Sequence, residues 1–135
     1  VTDIDLMSLL EGTGARALGP PELTVSGISY RSDTVVAGDA FFCVRGFAHD
    51  GHAFALDAVA RGAAALVVER PLDDVPAPQF VVPSGREALA LASARFEGDP
   101  SRSLEVVGIT GTNGKTTTVY LLDAILRAAG HSTGL

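Results

Sequence analysis

The amino-acid sequence predicts an α/β protein. It reads as a small mixed-sheet domain followed by the first strand, phosphate-type loop and helix of a second domain that is incomplete in this chain. Three observations point there. Short apolar runs at 40–46, 65–69 and 79–82 alternate with helical patterns at 53–61 and 86–96. A polar, proline-bearing stretch, Asp99-Pro100-Ser101-Arg102-Ser103, then separates one complete α/β pattern from the start of another. Beyond it a glycine-bearing turn joins an apolar run to a long amphipathic segment.

Taken in order, residues 3–11 put Ile4, Leu6, Leu9 and Leu10 on one helical face, and Gly12 and Gly14 end that run. Pro20-Pro21 marks a loop. Residues 23–30 alternate as a short strand, with Gly27 as its weak point or bulge. Ala37-Gly38-Asp39 is a turn signal, and residues 40–46, rich in Phe and Val, read as a buried strand. His49-Asp50-Gly51-His52 is a polar turn. The helix from Ala53 to Arg61 turns Phe54, Ala55, Ala58 and Val59 inward and stops at Gly62. Strands follow at 65–69 and 79–82, separated by the prolines at 71, 76 and 78. Ser84 caps a helix over 86–96, with Glu87 as its reciprocal partner and Gly98 behind it.

The boundary divides 1–102 from 103–135. In the second part, 104–109 is a strand, 110–114 a turn and 115–129 a helix with Val119, Leu122, Ile125, Leu126 and Ala129 along one stripe. Gly130 closes it, and 131–135 approach another strand. One strand and one helix cannot bury both faces of a sheet, so this second domain is expected to be truncated. There are no internal repeats and no low-complexity tract.

Composition removes several function classes. Of 135 residues, 47% are hydrophobic and 19% charged, which is a core-forming rather than a disordered composition. Ten Lys+Arg against sixteen Asp+Glu give a net charge of −6. A nucleic-acid partner, which calls for a basic face, is not expected. No run approaches the ~18 apolar residues of a membrane span, so no membrane partner is expected either. The acidic opening, VTDIDLMSLLEGTG, lacks the basic region of a secretory signal. The single cysteine, Cys43, excludes an intrachain disulfide or a multi-cysteine metal cluster, and a cytoplasmic location is the expectation.

The chemistry concentrates at Val106-Val107-Gly108-Ile109-Thr110-Gly111-Thr112-Asn113-Gly114-Lys115-Thr116-Thr117. Gly111 and Gly114 permit a tight turn and close backbone approach. The helix start behind them exposes free N–H groups and the positive end of its dipole, which suits a phosphate. Lys115 adds a cation for the β- and γ-phosphates, and the Thr116 hydroxyl suits Mg²⁺. The spacing is G-x-x-G-K-T; the common G-x-x-x-x-G-K-[ST] pattern would need glycine at Ile109. Lys115 is the only lysine among the ten cationic residues. That usage implies a position wanting a compact ammonium rather than a guanidinium fork.

The string Thr110-Gly111-Thr112-Asn113-Gly114-Lys115-Thr116-Thr117 resembles the ATP loop of the Mur ligase superfamily, whose shortened spacing it shares. Gly27 to Gly46 together with Asp50-Gly51-His52-Ala53-Phe54 resembles the N-terminal uridine-nucleotide domain of the MurE branch, the UDP-N-acetylmuramoyl-tripeptide synthetases. The resemblance runs from about residue 25 to residue 135. It implies a UDP-MurNAc-peptide-binding domain over 1–102 and the start of a P-loop ATPase domain over 103–135. The implied reaction is ATP-dependent addition of the third amino acid, diaminopimelate or lysine, to UDP-MurNAc-L-Ala-D-Glu through an acyl phosphate, by a cytoplasmic monomer. ATP and Mg²⁺ are the implied cofactors, with Gly111 to Thr117 at the nucleotide, Lys115 as the catalytic cation and Thr116 on the metal. The fragment alone is expected to be inactive.

By position, the resemblance also implies that Ser32, Phe47, Ala48 and His49 border the UDP moiety, and Tyr30, close to Ser32, is a further candidate for uracil contact. The family reads Asp-Ser-Arg where this chain has Arg31-Ser32-Asp33, so the serine is kept and the charges are exchanged. If the two pair, the exchange is neutral. If the arginine meets a ligand phosphate, Arg31 or Arg45 is the candidate substitute. A MurF-type ligase and a non-catalytic uridine-nucleotide module are the alternative functions. Read without the resemblance, Tyr30 is a strand residue packing on the core. His49, Asp50 and His52 make a polar turn better than a metal site, with His52 fixing the turn before the helix. Cys43, inside an apolar run, reads as a structural thiol.

Overall fold

The computed structural model describes residues 3–47 and 49–135. The chain divides into two compact units, Val1–Pro100 and Ser101–Leu135.

The first unit is a five-stranded mixed sheet between two helical layers. Its strands are β2 (Arg16–Leu18), β4 (Gly27–Ser29), β5 (Asp39–Phe42), β6 (Ala65–Val68) and β7 (Gln79–Val81), ordered β2-β7-β6-β5-β4. β4, β5, β6 and β7 run parallel, and β2 closes the edge antiparallel to β7. All four residues of β5 and all four of β6 are buried, as expected of parallel strands covered on both faces. Alternation splits them between two cores. Ala40 and Phe42 of β5 join Ala65 and Val67 of β6 beneath α1 (Leu6–Leu9) and α3 (Gly85–Phe96). Phe41, Leu66 and Val68 face the other way, with Cys43, against Ala55 and Ala58 of α2 (Ala55–Ala60). Burial of each such Phe or Leu contributes on the order of 1.5–3 kcal/mol.

The connection from β6 to β7 has no helix. Gln79 organises it, its amide oxygen accepting from Leu72 N–H at 2.8 Å and its amide nitrogen donating to Leu72 C=O at 2.7 Å. Leu72, Val75 and Ala77 can then cover the α2 face. Ser84 caps α3 as its sequence predicts, its hydroxyl accepting from Glu87 N–H at 3.3 Å.

Several expectations change. The helix predicted over 3–11 gives up its first residues to β1 (Ile4–Asp5), which pairs antiparallel with β3 (Thr24–Val25). Asp5 then caps the single turn α1, accepting from Ser8 N–H at 2.8 Å. The strand predicted over 23–30 breaks at Ser26, leaving β3 in the two-stranded sheet and β4 in the main one. β2 falls between Gly14 and Pro20-Pro21, where the sequence reading assigns no element; three residues are too few to establish a period. Phe54 is 42% exposed rather than inward, because a 3₁₀ turn over Gly51–Phe54 precedes α2 and shifts its phase.

The second unit holds α4 (Lys115–Ala128). Residues 104–109, predicted as a strand, form no ladder: a strand needs a neighbour for its N–H and C=O groups, and none is offered among the described residues. Residues 131–135 likewise form no strand; Thr133 instead donates its hydroxyl to Asp123 at 2.5 Å. Among the described residues no helix is long and apolar enough to cross a membrane.

Candidate functional site

In the first unit the carboxyl ends of β4 and β5 open onto a cleft of about 800 Å³. The chain leaving β4 supplies Tyr30, Arg31, Ser32 and Asp33. The chain leaving β5 supplies Val44, Gly46 and His49, and α3 contributes Arg86 and Leu89. In open parallel sheets this edge is where ligands bind.

Each wall has a local cause. Ser29 Oγ lies 2.9 Å from Thr34 Oγ1, and the Thr34 hydroxyl also reaches Arg31 C=O at 3.0 Å, which curls Ser32–Thr34 into a 3₁₀ turn. Arg31 spans that turn and donates to both carboxylate oxygens of Asp33, at 3.1 and 2.6 Å. The pairing holds the Asp33 carboxyl below its ordinary range and raises the Arg31 guanidinium. Asp57 is also held low, by the Ser32 hydroxyl first and then by Arg61. Opposite, Arg45 and Asp50 bridge antiparallel, and Gly46 N–H donates to His49 C=O at 2.8 Å. Phe54 stands edge-on to the His49 ring at 6.4 Å between centroids. Arg86 donates to Arg45 C=O at 2.9 Å, tying α3 to the base of the turn.

Behind this turn lies a polar network in which His52 fixes the turn as expected; its links to Glu69 and Gly85 are not announced by the sequence. The His52 ring, 1% exposed, accepts Glu69 N–H at Nε2 at 2.9 Å. Its proton therefore sits on Nδ1 and is donated to Asp50 Oδ1 at 2.5 Å. The same oxygen accepts His52 N–H at 3.0 Å, and Asp50 Oδ2 faces Arg70 at 3.3 Å. Burial opposes ionisation of Asp50, but the His52 backbone N–H, the His52 ring and Arg70 together bring its pKa down to about 2. Glu69 Oε1 accepts Gly85 N–H at 2.8 Å, linking the network to the start of α3. Gly51 is required at the crossing: a Cβ there would lie 2.7 Å from Val44 N and 2.8 Å from Val44 O. Burial pushes the Cys43 thiol up to about 12, which makes it inert packing.

The second unit holds the glycine loop that precedes α4. Gly111 (φ 155°) and Gly114 (φ 75°) turn the chain, and Gly114 caps α4 without a side chain. The first helical bond runs from Thr118 N–H to Gly114 C=O at 2.9 Å. Among the described residues the N–H groups of Lys115, Thr116 and Thr117 have no acceptor. Lys115 folds back across the loop and donates to Gly111 C=O at 2.6 Å. Free amides, an ammonium over the loop and a hydroxyl at Thr116 fit a phosphate chain with a divalent cation.

The structure therefore gathers Tyr30, Ser32 and His49 at one cleft. Tyr30 is 60% exposed, a cleft wall rather than a core residue. Phe47 stands fully in solvent and is not part of the lining. Ala48, also expected here, lies outside the described residues. Gly46, Phe54, Arg86 and Leu89 were not anticipated; only the glycines bracketing 46–51 hinted at a constrained turn.

A profile of the Mur ligase family, catalytic domain, matches residues 24–97. The chain belongs to the Mur ligase family. It is 45% identical over 130 residues to the UDP-N-acetylmuramoyl-L-alanyl-D-glutamate--2,6-diaminopimelate ligase of Geobacillus thermodenitrificans (strain NG80-2), covering 96% of this chain and 26% of that protein. It is 47% identical over 118 residues to the UDP-N-acetylmuramyl-tripeptide synthetase of Roseiflexus sp. (strain RS-1), covering 86% and 23%. The chain thus spans about a quarter of the length of the curated relatives it matches. Among solved structures it is similar to MurF from Acinetobacter baumannii (TM-score 0.75, 31% identity, 95% of this chain and 28% of that one). It is also similar to MurF from Thermotoga maritima in complex with ADP (TM-score 0.58, 33% identity, 75% and 23%).

Proposed function

We propose that this chain is the N-terminal part of a MurE-type ligase. Residues 1–102 hold the uridine nucleotide of UDP-MurNAc-L-Ala-D-Glu, and residues 103–135 open the ATP-binding domain. The whole enzyme joins a third amino acid, diaminopimelate or lysine, to the dipeptide in the cytoplasm as a monomer. The observation that carries this reading is the presence on one chain of a strand-end cleft with Tyr30, Ser32 and His49 and of a glycine loop with unpaired amides under Lys115.

A carboxylate resists amines until it carries a good leaving group. ATP supplies one by phosphorylation of the substrate carboxylate; the amine then displaces phosphate from the acyl phosphate, giving an amide, ADP and phosphate. The chain's part is to hold anions together against their repulsion. The amides of Lys115 to Thr117 face the phosphates, with Gly111, Thr112, Asn113 and Gly114 forming the turn before them. The Lys115 ammonium exchanges Gly111 C=O for phosphate oxygen and stabilises charge as it moves to the bridging oxygen. The Thr116 hydroxyl would hold Mg²⁺, which when bound screens the phosphate charge. Ser32 and His49, with Tyr30 beside them, orient the uridine end remote from the reaction.

Phosphate release by the whole protein tests this. UDP-MurNAc-dipeptide with the third amino acid should turn over, and Lys115→Ala should abolish release; unchanged turnover in that variant removes the assigned role. The MurF-type reading is favoured by the solved neighbours named above. Turnover of UDP-MurNAc-tripeptide, and not of the dipeptide, would establish it.

A further inference from the structure

The ionisable side chains lining the strand-end cleft belong to Tyr30, Arg31, Asp33, His49 and Arg86. Arg31 and Asp33 form a two-pronged pair, so their charges largely cancel. Arg45, at the base of the turn, lies 3.8 Å from both Asp50 and Glu69, and Arg70 lies 3.3 Å from Asp50. Neither Arg31 nor Arg45 is thus an unopposed cation. Arg86 differs. Its hydrogen bond goes to a neutral acceptor, the Arg45 carbonyl at 2.9 Å, and among the described residues no carboxylate pairs with it.

We propose that Arg86 is the phosphate-binding cation of this cleft, taking the diphosphate of the uridine nucleotide with the guanidinium edge that its bond to Arg45 leaves open. The assignment rests on the uridine-nucleotide reading of the cleft. One Nη is committed to the carbonyl; Nε and the other Nη remain to donate, and a guanidinium meets phosphate oxygens in pairs. The carbonyl anchor fixes the side chain before the ligand arrives, which lowers the ordering cost of binding. Arg86 sits in the first turn of the 12-residue helix α3, a rigid support.

The test compares UDP with uridine by calorimetry on the whole ligase, using wild type, Arg86→Gln and Arg86→Lys. Arg86→Gln is expected to weaken UDP about tenfold or more and to leave uridine unchanged, since a charge-assisted hydrogen bond is lost only where phosphate is present. Arg86→Lys should recover part of the UDP affinity, having the charge without the fork. In turnover, KM for the UDP substrate should rise in Arg86→Gln while KM for ATP holds. Equal losses for UDP and uridine would overturn the proposal, leaving Arg86 as a brace for the turn. UDP binding by Arg86→Gln equal to that of wild type would overturn it too, with the uridine reading intact. Failure of the wild type to bind UDP would remove the uridine reading and this assignment together.

Discussion

His52 is the residue whose loss should be felt most widely in the first unit, and the structure sets the size of the effect. Its ring is 1% exposed, donates to Asp50 at Nδ1 and accepts Glu69 N–H at Nε2. In His52→Ala the Glu69 N–H loses its acceptor, which costs about 1–3 kcal/mol for a donor shut off from water. The Asp50 carboxylate loses a bond to a ring donor, a further ~1.5–3 kcal/mol at most, since Arg70 and the His52 backbone N–H remain. The two terms share one cavity, and water entering the space left by the ring would relieve part of each, so about 2–4 kcal/mol is expected rather than their sum. Urea unfolding measures the total. Amide hydrogen exchange locates it, because the Glu69 N–H should exchange far faster in the variant. A loss below about 1 kcal/mol with unchanged protection at Glu69 would refute the assignment of His52 as the joint between the turn and β6.

Two further outcomes follow from the same network. Asp50 has its pKa depressed to about 2 in the fold, from 3.8, so its ionised form contributes stability above the unfolded value and loses it as pH falls through the folded one. The stability gap between wild type and Asp50→Asn should therefore close between about pH 4 and pH 2; a gap constant over that window would contradict the linkage. Gly51→Ala drives a Cβ to 2.7 Å from Val44 N, where only backbone can yield. A destabilisation of about 1–3 kcal/mol is expected in urea unfolding, with UDP affinity falling as the adjacent turn shifts.

Much of the first unit is legible in its sequence because burial on both sheet faces leaves long apolar runs at β5 and β6, and because Ser84 with Glu87 announces the start of α3. What escapes is whatever depends on partners distant in sequence. β2 is an edge strand of three residues, recognisable only by its pairing with β7. The register of β1 with β3 is fixed by a neighbour about twenty residues away, not by local propensity. The site divides along the same line. The glycine loop is contiguous, so its turn, ammonium and helix start appear in one string. The cleft is assembled from three chain segments. Resemblance marks Ser32, and Tyr30 only by its place beside it. Arg86, on a helix that looked ordinary, acquires meaning only when its guanidinium meets the carbonyl of a residue 41 positions earlier.

The Arg31–Asp33 pair bears on whether this chain's exchange of charges alters the cleft. The two side chains bond each other across Ser32 with both prongs, and both are well exposed. A mutual pair is indifferent to which end carries which sign, whereas a single charge committed to a ligand is not. Asp33→Asn should therefore leave Arg31 unopposed and tighten UDP, and Arg31→Gln should leave Asp33 unopposed and loosen it. Each change should be a few-fold, given an exposed unit charge acting through water, and should fade as salt rises. The double exchange, Arg31→Asp with Asp33→Arg, restores the pair in reversed order and should return UDP affinity close to that of wild type. A double variant as impaired as the worse single one would mean that one charge meets the ligand directly, and that the order of the two residues is itself a determinant of nucleotide binding.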